Sequence, residues 1–136
     1  MKTLPFIFLV FASFVSSISH AAVDIQHWTT NVGSRVYFVE NHDLPILDLS
    51  VAFPAGSAYD TKVTSGLAGV TKHLMPLGAA GMNEEAITNA FADIGAQRGG
   101  SVDADRASFS LRTLRSEQEK ALEIFNRILH QPDFPE

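Results

Sequence analysis

The stretch from residue 66 to residue 75 reads Gly66-Leu67-Ala68-Gly69-Val70-Thr71-Lys72-His73-Leu74-Met75. Its apolar residues Leu67, Val70 and Leu74 recur at intervals of three and four, which predicts an amphipathic helix with these side chains in the core. Pro76 follows directly. Because proline lacks the backbone donor that a helix needs, we expect the helix to end near Met75.

The opposite side of this helix carries Gly69, Lys72 and His73. It resembles the zinc helix of the pitrilysin/insulinase-type peptidases, the inverted zincins, whose motif is H-x-x-E-H. On that motif Gly69 replaces the first ligand histidine, Lys72 replaces the catalytic glutamate, and His73 alone is retained. A zinc peptidase needs about three protein ligands and a base beside the metal-bound water. The resemblance therefore implies a non-catalytic member, with His73 a vestigial ligand and no zinc or other cofactor of its own.

Three further segments support the resemblance, which runs from about Ile25 to Glu136. Residues 53–60 (FPAGSAYD) resemble the family's loop before the zinc helix, and residues 99–104 (GGSVDA) resemble its G-G-x-x-N-A segment. Residues 124–134 resemble its helix that is followed by P-x-F. The chain covers only part of such a module. We therefore expect the third zinc ligand of active relatives, a downstream glutamate, to fall beyond the last residue.

Patterns of apolar residues predict the remaining elements. Alternation predicts strands at residues 23–30, 35–40, 46–53 and around 107–112, the first two forming a hairpin. Helices are predicted to start at Asn83, as an N-cap, and at Ser116, as the first residue of a capping box. Gly95 is expected to close the first of these helices.

This order of elements predicts an α+β fold, a two-layer domain in which a mainly antiparallel sheet packs on helices. Phe91, Phe109 and Phe125 lie on the apolar faces of two helices and a strand. We expect these three side chains to meet in the shared core.

The first 21 residues have the pattern of a secretory signal peptide. Lys2 precedes an apolar run, and a small-x-small sequence ends at Ala21. The run is shorter than the roughly 20 apolar residues that a membrane span needs. We therefore expect residues 1–21 to be a signal peptide, residues 22–136 to be an incomplete peptidase module, and no membrane association after cleavage. Because the chain has no cysteine, export to a bacterial periplasm is favoured.

The composition argues against one class of partner. With 46% apolar and 18% charged residues, the chain has the balance of a globular protein. Its formal net charge is −5, and it contains no run of lysine or arginine that could displace counterions from nucleic acid. We therefore expect no nucleic-acid partner.

Gly99, Gly100, Ser101 and Asp103 are the candidate peptide-binding residues. Paired glycines let another backbone approach closely, as at a sheet edge that binds a peptide, although they could equally form an ordinary turn. Asp103 and Asp105 are spaced to face the same side of a strand. They could bind a cation or a basic peptide, but a solvated edge is the simpler interpretation.

The resemblance implies a function without catalysis. We expect an exported, catalytically inactive subunit that pairs with an active, intact-motif peptidase of the same family and contributes to peptide binding. Three alternatives remain open: an active zinc metallopeptidase with non-standard ligands, a stand-alone peptide-binding module, and a truncated gene product. Zinc content and co-purification with a partner would distinguish the first two alternatives from the subunit.

Overall fold

The computed structural model describes residues 23–135. The predicted signal peptide at residues 1–21 lies outside this range. The chain divides into two units, the first ending at His42 and the second beginning at Asp43, and each is described by itself. Within the described residues, no helix is both long enough and apolar enough to span a bilayer.

The first unit is an antiparallel hairpin of two strands, β1 (Ile25–Thr29) and β2 (Arg35–Val39). In its turn Gly33 has a φ of 87°, and the Gly33 N–H donates to the Thr30 carbonyl at 3.0 Å. Across the strands the His27 and Tyr37 rings stack with their centroids 6.3 Å apart. The predicted hairpin is confirmed, with both strands slightly shorter than predicted.

The second unit combines five strands with three α-helices. In chain order these elements are β3 (Ile46–Phe53), α1 (Leu67–Leu74), β4 (Gly78–Ala79), β5 (Met82–Asn83), α2 (Glu84–Asp93), β6 (Gln97–Val102), β7 (Ala107–Leu114) and α3 (Gln118–His130). Short 3₁₀ turns lie at Ser57–Tyr59, Met75–Leu77 and Arg115–Glu117. The predicted β3 matches the observed strand residue for residue, and α1 ends at Leu74, next to the expected position.

The main sheet is antiparallel, with the strand order β3-β7-β6. β7 is central, and its inward-facing residues Ala107, Phe109, Leu111 and Thr113 are all buried. Its outward-facing residues are polar apart from Leu114 at its end, so the alternation of the sequence separates the two faces of the sheet. The two-layer antiparallel α+β fold is therefore confirmed.

Helices α2 and α3 cover the inner face of this sheet and supply the rest of the core. The buried apolar side chains from the two helical segments are Ile87, Phe91, Ile94, Ala121, Ile124, Phe125 and Ile128. The three phenylalanines expected to share the core are all in it, at 3% exposure for Phe91, 7% for Phe109 and 5% for Phe125. Burying a side chain of this size contributes about 1.5–3 kcal/mol.

The signals for the ends of α2 are confirmed. The Asn83 side-chain oxygen accepts the Ala86 N–H at 2.9 Å, which satisfies one of the donors left free in the first turn. At the other end Gly95 takes a φ of 62°, and the Ala96 N–H donates to the Phe91 carbonyl at 2.9 Å. This geometry is the left-handed helix end that glycine favours.

Two helix predictions are wrong. Leu67 and Val70 are each 54% exposed, although their spacing predicted a core stripe. Leu74, the third residue of that stripe, is half-buried, as is Ala68, and Met75 directly after the helix packs against the core. This helix has only eight residues and carries apolar side chains on both sides. The spacing of its residues therefore does not predict which side packs against the core.

The capping box at Ser116 does not form. The chain leaves β7 through a 3₁₀ turn, held where the Arg115 N–H donates to the Pro45 carbonyl at 2.9 Å. Because of this turn, α3 begins at Gln118 instead of near Ser116. Glu117 is its N-cap, and the Glu117 side chain accepts no capping hydrogen bond.

The short hairpin β4–β5 was not predicted. Ala80 and Gly81, at φ of 51° and 77°, form its turn. The segment after α3 closes over it, because the Ala80 N–H donates to the Gln131 carbonyl and the Asp133 side chain accepts the Gly81 N–H at 2.8 Å. The region that resembles P-x-F is thus bound to the β4–β5 hairpin.

Candidate functional site

The degenerate motif lies on α1, which packs beside β6. Gly69 and His73 are exposed, and Lys72 is half-buried. Positions three and four residues apart are neighbours on a helix surface. The structure therefore places these three residues side by side on one part of α1.

The residues at these positions do not fit zinc. Gly69 has no donor atom, and the Lys72 ammonium has no lone pair to offer a metal. His73 supplies a single imidazole where about three ligands are needed. Among residues 23–135, no group of three or more histidine, cysteine, aspartate or glutamate side chains is placed to hold a metal ion.

Lys72 and His73 suit a structural role in α1. Both lie in its last turn, where the carbonyl end of the helix carries a partial negative charge. A cation at this end is favoured by the helix dipole, whereas a glutamate would be disfavoured. Lysine at position 72 therefore offers no carboxylate base, and its charge is favourable at this end of the helix.

An open depression of about 530 Å³ lies beside Gly69. It is bordered by the loop before α1, including Ser57, Asp60 and Lys62, and by Val102 at the end of β6. A β-carbon at Gly69 would meet no atom within 4 Å, so the space next to the helix is open. The depression therefore joins the degenerate motif to the end of β6.

Two of the family-like segments contact each other at this end of β6. The Ser57 N–H donates to the Asp103 carbonyl at 2.9 Å, and the Ala58 N–H donates to the Ala104 carbonyl at 2.8 Å. Gly56 is buried, and a β-carbon there would collide with the Ala104 carbonyl and the Arg106 N–H. The loop before α1 is thus bound directly to the turn after β6, and position 56 has no room for a side chain.

Asp103 is not on a strand, as its spacing from Asp105 suggested, but in the β6–β7 turn. Its Oδ1 accepts the N–H groups of Asp105 and Arg106, both at 2.8 Å. These backbone hydrogen bonds, that of Arg106 first, lower the pKa of the Asp103 carboxyl. Asparagine offers the same acceptor oxygen, which gives a structural reason why asparagine serves at the corresponding position of the family segment.

The predicted peptide-binding residues do not line one pocket. Gly99 and Gly100 belong to β6 rather than to a turn, and they face opposite sides of the sheet. Gly99 lies opposite Ser110 and Ser101 opposite Ser108 on the polar face. Gly100 has a φ of 146°, and a β-carbon there would collide with the Ser108 carbonyl. The pairing with β7 therefore requires glycine at position 100.

A second depression of about 430 Å³ lies on the polar face of the sheet. Gly99 borders it together with Ser50 and Ser110. At one end Arg112 binds Asp48 through two hydrogen bonds, of 2.7 and 2.9 Å. This pair lowers the pKa of the Asp48 carboxyl and raises that of the Arg112 guanidinium. Sequence reasoning missed this pair, because only the register of β3 with β7 brings two residues so distant in the chain together.

Comparisons with known proteins agree with the fold described above and with the predicted family. The sequence profile of the family described as Insulinase (Peptidase family M16) matches residues 35–136. A solved structure described as a peptidase M16 inactive domain from Pseudomonas fluorescens is 36% identical, with a TM-score of 0.79. That alignment covers 83% of this chain and 28% of the other.

A protease from Helicobacter pylori is similar in fold alone, at 18% identity and a TM-score of 0.73. That alignment covers 85% of this chain and 28% of the protease chain. This chain thus spans less than a third of the length of either structure. No curated protein matches the chain.

Replacing Gly69 by alanine should stabilise the protein. Alanine is favoured over glycine inside a helix by about 0.8–1 kcal/mol, and the added methyl group meets open space. The matched control is Gly66→Ala, which should destabilise, because Gly66 has a φ of 88° and a left-handed conformation costs alanine about 1–2 kcal/mol. Urea unfolding of both variants measures the two effects. A loss of stability in Gly69→Ala would contradict the open surface described for α1.

The Asp103 turn should make stability depend on pH in acid. The folded-state pKa of its carboxyl lies below the ordinary value of 3.8. The carboxylate therefore contributes its full share to the free energy of unfolding above pH 3.8, and this contribution is lost as the pH falls through the lower folded-state pKa. Asp103→Asn keeps the acceptor but not the charge, and it should flatten this dependence.

The measurement is the denaturant midpoint between about pH 5 and pH 2.5, taken against an Asp105→Asn control. Asp105 carries the same charge next to the turn, but its side chain does not accept the hydrogen bonds that hold it. Equal pH profiles for wild type and Asp103→Asn would show that the turn does not depend on the ionised carboxylate.

Proposed function

Because the chain belongs to the insulinase family of peptidases, we propose that it is a catalytically inactive member that binds peptides without cleaving them. One observation carries this proposal: the positions that would supply a ligand and the base hold Gly69 and Lys72, beside a depression that reaches the end of β6. Glycine and lysine at these positions supply neither an imidazole ligand nor a carboxylate base, which supports binding without hydrolysis.

We further propose that the protein acts as the non-catalytic subunit of an exported pair, in which an active family member carries the intact motif. Support comes from the relative at 36% identity, which is described as an inactive domain, and from the signal-peptide pattern of residues 1–21. A periplasmic location of both subunits agrees with the absence of cysteine.

The proposed peptide site is the free edge of β6. In the described part of the chain this strand pairs only with β7, so half of its backbone groups are open to an added strand. Gly99 and Gly100 remove side chains along this edge, and Ser101 presents a small polar one. Strand addition here would direct one end of the peptide toward the depression beside Gly69. The role of Asp103 is indirect, because its carboxylate holds the turn that ends the strand.

Zinc should be absent from the protein, and restoring the two motif residues should not restore hydrolysis. The Gly69→His and Lys72→Glu double variant gains one ligand beside His73, together with the base, which is still fewer than the roughly three protein ligands that a zinc site needs. Elemental analysis after dialysis should show no stoichiometric zinc in the wild type. The double variant should show no zinc-dependent cleavage of an unstructured peptide. One zinc per wild-type chain that is lost in His73→Ala would support the active-peptidase alternative instead.

The partner predicted by this proposal should stabilise the chain. A protein that binds only the folded state at 100 times its Kd adds about 2.7 kcal/mol to the free energy of unfolding. Thermal unfolding is measured for the chain alone and with an intact-motif family member encoded in the same genome. The control is the same titration with an unrelated exported protein. A transition that the family member leaves unchanged at every ratio would favour a stand-alone peptide-binding module.

A further inference from the structure

Met82 on β5 has a thioether sulfur that lies next to a charged donor. The Arg127 guanidinium on α3 donates through Nη1 to the Met82 Sδ at 3.8 Å. The contact joins residues 45 positions apart in the chain. A thioether is a weak acceptor, whereas a guanidinium is a donor suited to strongly polar or charged oxygens. The donor at this sulfur is therefore stronger than the sulfur can use.

Other contacts hold the two side chains in place. Arg127 also donates through Nη2 to the Glu123 carboxylate one turn earlier on α3, at 2.7 Å, which orients the guanidinium. The turn before Met82 is bound by the Asp133 carboxylate, and Asn83 directly after it caps α2. The backbone is thus fixed on both sides of Met82. The sulfur and its donor are therefore kept together by the fold and not by their own weak contact.

Met75 provides an internal comparison. Of the three methionines in the sequence, Met75 and Met82 lie within residues 23–135, and both are half-buried and pack against the core. Within that range, only the Met82 sulfur accepts a hydrogen bond from a side chain. The two sulfurs are therefore similar in burial but differ in their polar neighbours.

We propose that Met82 is a site of oxidation to methionine sulfoxide, and that Arg127 binds the added oxygen so that the fold is retained. The oxidant is a hydroperoxide, with hydrogen peroxide as the simplest member of the class. A lone pair of Sδ attacks one peroxide oxygen: the S–O bond forms, the O–O bond breaks, and the other oxygen leaves as water with both protons. Sulfur loses two electrons and the peroxide gains them, so no further reactant is needed.

Arg127 determines what this reaction does to the fold. A sulfoxide is polar, and it disrupts a core in which its oxygen finds no donor. At position 82 the guanidinium already lies against the sulfur. Because methionine is flexible, rotation of its terminal bonds brings the new oxygen within reach of that donor. The oxidised Met82 side chain therefore keeps its place, whereas a sulfoxide at Met75 is buried without a donor or leaves the core.

The first test compares the full chain before and after treatment with hydrogen peroxide. Met75→Leu retains the Met82 sulfur, and Met82→Leu retains the Met75 sulfur. Mass spectrometry of peptides locates the added oxygen, and urea unfolding gives the equilibrium constant for unfolding. Oxidation at Met82 in the folded Met75→Leu protein should change this constant by less than about three-fold, whereas oxidation at Met75 in the Met82→Leu protein should raise it by about ten-fold or more, the effect of a buried polar group without a partner.

The second test removes the donor by introducing Arg127→Leu into the Met75→Leu protein. Oxidation at Met82 should then raise the equilibrium constant for unfolding by about ten-fold or more. The matched control is Lys120→Leu, which removes an exposed cation from the same helix and should leave the small effect of oxidation unchanged. Each protein is compared with its own reduced form, so the loss of the Glu123 ion pair cancels. The comparison of the two methionine variants stands by itself if Arg127→Leu fails to fold.

Three results would overturn the proposal. The first is a Met82 that stays reduced in the folded protein while free methionine in the same solution is oxidised. The second is equal destabilisation by oxidation at Met75 and at Met82, and the third is a sulfoxide that the Arg127→Leu protein tolerates as well as its parent does. Neither test includes a peptide or a peptidase partner. The oxidation site can therefore fail while the proposed function stands, and the reverse also holds.

Discussion

The second unit of the protein depends on the placement of β7. This strand lies between β3 and β6, and its inward side chains Ala107, Phe109, Leu111 and Thr113 form the floor on which α2 and α3 pack. Both of its neighbours take their register from it. Its close approach to β6 requires glycine at position 100, because any β-carbon there would meet the Ser108 carbonyl. Gly100, one of the candidate peptide-binding residues, therefore has a structural role in the assembly of the sheet.

Local signals in the sequence predict much of this fold. Strict alternation defines β3 and β7, because one face of each is buried and a shift of one residue would exchange the faces. Asn83 and Gly95 define the ends of α2, because each satisfies free backbone groups with its own atoms or conformation. Signals that depend on tertiary contacts are not visible in this way. Leu67 and Val70 have the spacing of a buried stripe, but both are exposed, and Met75 directly after the helix packs against the core.

In the candidate site, too, some features can be predicted from the sequence and others depend on tertiary contacts. The loss of donors at positions 69 and 72 is readable from the sequence, since glycine and lysine cannot replace a ligand and a carboxylate base. The contact between the loop at Gly56 and the turn at Asp103 is not readable, because it joins residues nearly fifty positions apart through backbone atoms. Asp103 looked like a surface acid, and only its two accepted hydrogen bonds show that it holds the turn.

The residues of α1 are also compatible with this fold in the absence of zinc ligands. Zinc ligands draw carboxylate and imidazole groups together at a cost that the bound metal repays. Without such ligands, Lys72 at the carbonyl end of the helix replaces a destabilising charge by a favourable one. The helix then remains as a wall of the depression beside β6, held in place by the backbone contacts of its preceding loop. The activity proposed for the second unit is therefore a binding activity, carried by the backbone groups of β6 that pair with no other strand among residues 23–135.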